Sequence, residues 1–154
     1  MSNIFDDDLF IKVHENLPIV CVDIIIINSR KEFLLVKRKV EPVMNQWWFI
    51  GGRVLKNESL VLAAHRKVYE ETGLHIKSVE KIVSGCELFF DKDPFGHMNG
   101  THSIATCFVA KLMQEEGKIK LDSYHSKYKF FKFFDNKWDE YLVKCLKKAG
   151  FQKS

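Results

Sequence analysis

Between residues 51 and 74 the chain reads GGRVLKNESLVLAAHRKVYEETGL, a stretch dense in carboxylates and cations at short, regular spacing. Glu70 and Glu71 are adjacent, Arg66 stands four residues before the first and Lys67 four before the second. On a helix all four crowd neighbouring ridges. Glu58 lies upstream and the pair Gly51-Gly52 leads in, so acidic oxygens are presented beside accessible backbone. That combination suits a hard divalent cation held against a diphosphate. On an arbitrary helix the same side chains would be surface ion pairs, each contributing about 0.3–0.5 kcal/mol. The Gly-Gly loop, Glu58 and Gly73 at fixed offsets argue for a site instead. Lys67 is the discordant member: a protonated lysine only donates, and it offsets the charge of a neighbouring carboxylate.

These residues need a loop and a helix to position them. Asn57 is the expected N-cap, with Glu58 in the first turn where the helix dipole favours it. Leu60, Ala64 and Val68 form a buried stripe, and Gly73 suits a left-handed C-terminal cap. Upstream, the β-branched run at residues 17–27 reads as a buried strand, residues 28–31 as a turn, and residues 32–37 as its hairpin partner. Asp23 interrupts that run, and a charge there is costly unless it is paired or belongs to a site. Residues 47–50 form a short strand delivering the chain to Gly51. Residues 75–90 and 101–112 are strand-rich around an exposed loop, DKDPFGHMNG. Residues 114–118 form a charged turn, the loop LDSYHSK leads into a strand over 128–134, and a helix is expected over 135–149. Trp138, Leu142, Cys145 and Leu146 share one of its faces. Residues 1–16 read as a short mixed leader. The expected architecture is α+β, one domain over 1–154, with a mixed β-sheet, two main helices, a loop-helix-loop motif and a C-terminal helix.

The totals narrow the partners. A net charge of +4 over 154 residues is mild. It suits an anionic small molecule and does not argue for nucleic acid. No apolar run approaches the roughly 20 residues that span a bilayer, and the acidic start lacks the basic and apolar regions of a signal peptide, so a cytoplasmic protein is expected. Cys21, Cys86, Cys107 and Cys145 lie far apart among apolar residues, which reads as buried reduced thiols. Trp47 and Trp48 are expected in the strand core, and His14, His97 and His102 on the surface.

From Gly52 the spacing G-x5-E-x7-R-K-V-x-E-E-x-G-L resembles the Nudix box, G-x5-E-x7-R-E-U-x-E-E-x-G-U with U aliphatic. Gly52, Glu58, Arg66, Val68, Glu70, Glu71, Gly73 and Leu74 match, and Lys67 departs from a glutamate. The resemblance implies an α/β/α sandwich and a hydrolase of nucleoside diphosphates linked to another moiety, using Mg2+, with Mn2+ as a substitute. The GDP-mannose mannosyl hydrolases have lost the same glutamate. LPIVCVDIIIINSRKEFLLVKR, WWFIGGRV, DSYHSKYKFF and the leader DLFIKVHENLP are similar to stretches of that subfamily.

The closer resemblance implies a single Mg2+ and water attack at the sugar's anomeric carbon, giving GDP and free mannose. It places the Gly51 carbonyl and the Glu71 carboxylate on the metal; Tyr124 stands where the subfamily has a metal-binding glutamine, and a water or Glu70 is expected in that place. Arg38 and Arg53 would neutralise the diphosphate, Arg53 stabilising the departing GDP, while Arg66, with Glu58, would hold the acidic cluster. His125 matches the general base, a task suited to a side chain whose ordinary pKa is about 6.5. Asp23 matches an acidic residue near the sugar and Phe10 a leader aromatic near the base. Ser103 and Leu88 stand where polar site residues are expected. The subfamily's homodimers imply one here, through the leader and first strands. Two other readings stay open: an ordinary Nudix pyrophosphatase attacking phosphorus, and a silent domain that only binds a nucleotide.

Overall fold

The computed structural model describes residues 7–114 and 117–154. The first six residues of the leader, and residues 115–116 of the expected charged turn, lie outside the described residues. The elements run α1 (Asp7–Asn16), β1 (Ile19–Ile27), β2 (Phe33–Arg38), β3 (Trp47–Trp48), β4 (Ile50–Arg53), α2 (Leu60–Thr72), β5 (Ile76–Phe90), β6 (Thr101–Leu112), β7 (His125–Phe131) and α3 (Glu140–Lys148). This is the mixed α+β architecture expected from the sequence.

The long apolar run of β1 is explained by its place in the sheet. It pairs in parallel with β6 along its whole length and antiparallel with β4, so both its edges and both its faces are covered. Val22, Ile24 and Ile26 pack with Ala63, Ala64 and Val68 of α2. Ile25, on the other face, packs with Leu142, Cys145 and Leu146 of α3. Fully burying a side chain such as Val68 or Ile25 contributes about 1.5–3 kcal/mol, so helices α2 and α3 clamp one sheet from opposite sides. The expected β1–β2 hairpin holds only at its turn. Asn28 Oδ1 accepts from the backbone N–H groups of Arg30 and Glu32 at 3.1 and 2.9 Å, but the two strands share only the Ile27–Phe33 register before parting. β2 then pairs with β3 and β7, which opens a cleft between β1–β4 and β2–β7.

Helix α2 starts later than its sequence suggests. Ser59, not Asn57, is the N-cap, its hydroxyl accepting from Leu62 N–H at 3.1 Å. Asn57 takes a left-handed turn at φ 64, a conformation asparagine tolerates. Glu58 therefore precedes the helix, where its carboxylate accepts from Leu55 N–H at 2.9 Å. The far end follows expectation: Gly73 at φ 72 closes the helix, its N–H donating to the Tyr69 carbonyl.

The leader is itself a helix, α1, with Asp7 and Asp8 in its first turn, where the dipole favours carboxylates. Helix α3 is shorter than expected; Asp139 caps it by accepting from Tyr141 N–H at 2.8 Å, and Trp138 precedes it, packed edge-on to Phe33 and Phe131. Trp48 is buried against Phe90 and Tyr141 in the core, as expected. Cys107 and Cys145 are buried thiols, whereas Cys21 and Cys86 are half-buried. Among the described residues no helix is long and apolar enough to cross a membrane.

Candidate active site

A cavity of about 390 Å3 opens where β4 meets α2, walled on its far side by α1 and by the loop between β5 and β6. Its floor follows from strand register. β4 runs antiparallel to β1 with Gly51 opposite Asp23, and a side chain at Gly51 would strike the Val22 carbonyl and the Asp23 carboxylate. Glycine is required there for close approach. Asp23 is buried in mid-strand, and the Tyr141 hydroxyl of α3 donates to its Oδ2 at 2.8 Å. Burial pushes the Asp23 carboxyl up to about 7, although the Tyr141 hydrogen bond favours the charged form.

On the α2 side the carboxylates are tied down. Arg66 forms a two-pronged contact with Glu58, Nε to Oε1 at 2.6 Å and Nη2 to Oε2 at 2.9 Å. It also donates to Glu70 Oε2 at 3.1 Å and to the Arg53 carbonyl at 2.9 Å. This fork geometry is what a guanidinium supplies best, and it holds the Glu58 carboxyl below the usual carboxylate range. Lys67 lies along Gly52, where an added Cβ would come within 2.7 Å of its Cε. Its Nζ sits 3.1 Å from Glu71 Oε1 and 3.3 Å from Glu70 Oε2. Burial works against the ammonium, but Glu71 and Glu70 outweigh it and hold Lys67 above the ordinary lysine value. Glu71 is buried, which raises its carboxyl despite Lys67, and its Oε2 accepts from Gly51 N–H at 3.3 Å.

Across the cleft, His125 is the first residue of β7 and not part of an open loop, and it is buried. Its Nδ1 lies 2.7 Å from Asp122 Oδ1. Burial disfavours the charged Asp122, but the His125 contact holds its carboxyl below the usual range. An ionised carboxylate only accepts, so neutral His125 carries its proton on Nδ1 and leaves Nε2 as a bare acceptor. Nε2 is buried, has no hydrogen-bond partner among the described residues and lies 4.0 Å from Glu71 Oε2. Arg38 is the register partner of His125 across β2 and β7, beyond an irregularity at Lys37/Arg38, and its Nε is likewise buried without a partner among the described residues. Arg53, at the end of β4, lies 3.7 Å from the centre of the Phe10 ring. Burial and the nearby Arg66 lower its pKa.

The structure thus brings Phe10, Asp23, Arg38, Arg53, Lys67, Glu71 and His125 to one cavity, with Ser103 and Leu88 on its wall and Tyr124, 59% exposed, at its rim. Glu70 and Arg66 line an adjoining hollow beside Arg53. Sequence reasoning missed Asp122 and Tyr141. The first had a signal, an aspartate three residues before the histidine; the second had none. The three histidines expected on the surface are not there. His14 is buried, its Nδ1 2.8 Å from His97 Nε2, because α1 and the β5–β6 loop close over the sheet. His102 is half-buried and stacked on Phe89, with centroids 4.3 Å apart.

As the side chains stand, the expected metal ligands do not fit a divalent cation. Glu71 contacts Lys67 through one oxygen and Gly51 N–H through the other, and Glu70 Oε2 is shared by Lys67 and Arg66. Among the described residues no three His, Cys, Asp or Glu side chains converge to hold a metal ion. What the arrangement offers is a histidine base oriented by a carboxylate, facing arginine and lysine cations suited to a diphosphate.

Residues 17–147 match the family model described as NUDIX domain. The chain is 32% identical over 125 residues to the low-salt glycan biosynthesis protein Agl8 of Haloferax volcanii, a match covering 81% of this chain and 78% of that one. Among solved structures, it superposes on a MutT NUDIX hydrolase from Burkholderia pseudomallei with a TM-score of 0.68 at 22% identity, covering 87% of this chain and 99% of that one. A MutT protein from Methanosarcina mazei Go1 gives a TM-score of 0.56 at 26% identity, covering 73% and 76%.

Proposed function

Because this chain belongs to the NUDIX family, whose hydrolases act on nucleotide derivatives, we propose that it hydrolyses a nucleoside diphosphate sugar, GDP-mannose by preference. Water attacks the anomeric carbon and nucleoside diphosphate leaves. The observation that carries this reading is His125, with Nδ1 held by Asp122 and a buried, unpartnered Nε2 in the cavity that also contains Arg38 and Arg53. The diphosphate is held by the two arginines, which balance the charge that grows on the leaving oxygen as the carbon–oxygen bond breaks. His125 Nε2 takes the proton from the attacking water, and Asp122 stabilises the imidazolium that results. Asp23, whose carboxyl burial pushes up to about 7, hydrogen-bonds a sugar hydroxyl, and Phe10 steadies Arg53. The name of the Haloferax relative, a glycan biosynthesis protein, supports a sugar-linked substrate.

Nudix hydrolases generally use divalent cations such as Mg2+ or Mn2+. Gly51, Glu70 and Glu71 remain the residues such an ion would seek, but no step here is routed through one. A homodimer through the leader and first strands belongs to the same proposal and is read by light scattering.

Hydrolysis in 18O-labelled water tests the reaction. Label is expected in the free sugar, with none in the nucleotide. Label in a nucleoside monophosphate would instead establish attack at phosphorus. That second reading draws on Glu58, Glu70 and Glu71, all retained. Under it Lys67→Glu would be at least as active as the parent protein.

A further inference from the structure

The misfit between the expected metal ligands and Lys67 has a constructive side. We propose that the Lys67 ammonium is a built-in cation standing where Glu70 and Glu71 would otherwise share a divalent ion, so that the cavity binds a nucleoside diphosphate without added metal. The inference rests on the reading that this cavity takes a nucleoside diphosphate.

The geometry carries it in three parts. The ammonium bridges the two carboxylates, at 3.1 Å from Glu71 and 3.3 Å from Glu70, with only 17% of its side chain exposed. Its stem lies against Gly52, in the space that a side chain at position 52 would need. A lysine has three donors; the two carboxylate contacts use two, and Lys67 lines the cavity, so the third is available to an incoming phosphate oxygen.

Arg38 supplies an independent sign of an anionic ligand. Its Nε, in the same cavity, is buried without a partner among the described residues, and a buried guanidinium donor left unmet costs free energy until an acceptor arrives. Lys67 thus offsets the charge of the carboxylates it bridges, which leaves Arg38 and Arg53, in the same cavity, to face a diphosphate. A divalent ion, by contrast, would have to displace the ammonium from both carboxylates.

The test is calorimetry on the full chain with GDP as probe, in EDTA and in Mg2+, together with Mn2+ titration of the nucleotide-free protein followed by electron paramagnetic resonance. GDP is expected to bind in EDTA within about threefold of its affinity in Mg2+, and Mn2+ alone to bind only in the millimolar range. Lys67→Met should weaken GDP binding in EDTA at least about tenfold, and Lys67→Arg should restore it. GDP binding that vanishes in EDTA, or tight Mn2+ binding by the nucleotide-free protein, overturns the inference while leaving the proposed substrate standing. Absence of GDP binding with and without Mg2+ overturns both. The parent-protein measurements decide the matter even if a variant fails to fold.

Discussion

Asp23→Asn removes one charge from the middle of a buried strand while keeping an oxygen that can accept from the Tyr141 hydroxyl. The carboxyl is pushed from an ordinary 3.8 up to about 7, chiefly by burial. At 1.36 kcal/mol per pH unit, that gap corresponds to about 4 kcal/mol. The folded value lies above the unfolded one, so the folded chain binds this proton more tightly. The protonated carboxyl is tolerated in full below pH 3.8. Stability is then lost as pH rises toward 7, above which the whole penalty of a buried charge is felt. The asparagine variant should therefore be up to about 4 kcal/mol more stable than the parent at pH 8, with the advantage fading to nothing by pH 4. Urea unfolding at pH 4, 6 and 8, followed by tryptophan fluorescence, measures this. A variant less stable at pH 8, or an advantage independent of pH, would refute the reasoning. If the costly carboxylate is kept for chemistry, the more stable variant should also be the poorer enzyme.

The other expectations concern the base, the guanidinium fork and the helix cap. His125→Gln should lower kcat by about 10²–10⁴ with KM little changed; Asp122→Asn should lower kcat less and alter the pH profile, which a purely structural role would not do. Arg66→Met leaves Glu58, with only 13% of its side chain exposed, without its partner. A loss of about 2–4 kcal/mol in chemical denaturation is expected, and a loss below 0.5 kcal/mol would show the fork to be dispensable. Gly73→Ala forces alanine to φ 72, although the nearest atom to its Cβ is 3.9 Å away, so the cost is conformational, about 1–2 kcal/mol, or a fall in Tm of roughly 3–6 °C by calorimetry.

What the sequence made legible was local. The α2 cap at Gly73, the turn at Asn28 and the strand character of β1 each rest on a few neighbouring residues, and each was found where expected. The boundaries that shifted did so through competition between near-equivalent caps: Ser59 outdid Asn57, and Asp139 fixed the start of α3 well inside the expected helix. The parting of β1 from β2 was hidden because sequence neighbours describe a hairpin's turn but not which later strands take its edges. In the site, the spacing from Gly52 to Leu74 marked a motif, but not how its charged side chains pair with one another. Asp122 was within reach of the same kind of reading. Tyr141, 118 residues from its partner Asp23, and the closing of α1 over the cavity, which buries His14, are tertiary outcomes with no local signature.

The position of β1 bears also on how the chain survives its own synthesis. Its lateral partners, β4 and β6, begin at Ile50 and Thr101, so a nascent chain carries IVCVDIIII with at least one edge unpaired until the residues of β6 are made. Segments of this kind, β-branched, apolar and lacking proline, are those from which aggregates nucleate. Asp23 is the one charge in the run, and in the unfolded chain it is solvated and repels a second copy, the role of a gatekeeper. The residue that weakens the finished fold thus protects the unfinished one. Asp23→Asn, although more stable once folded, should give a smaller soluble fraction on overexpression, read from the ratio of soluble to pelleted chain.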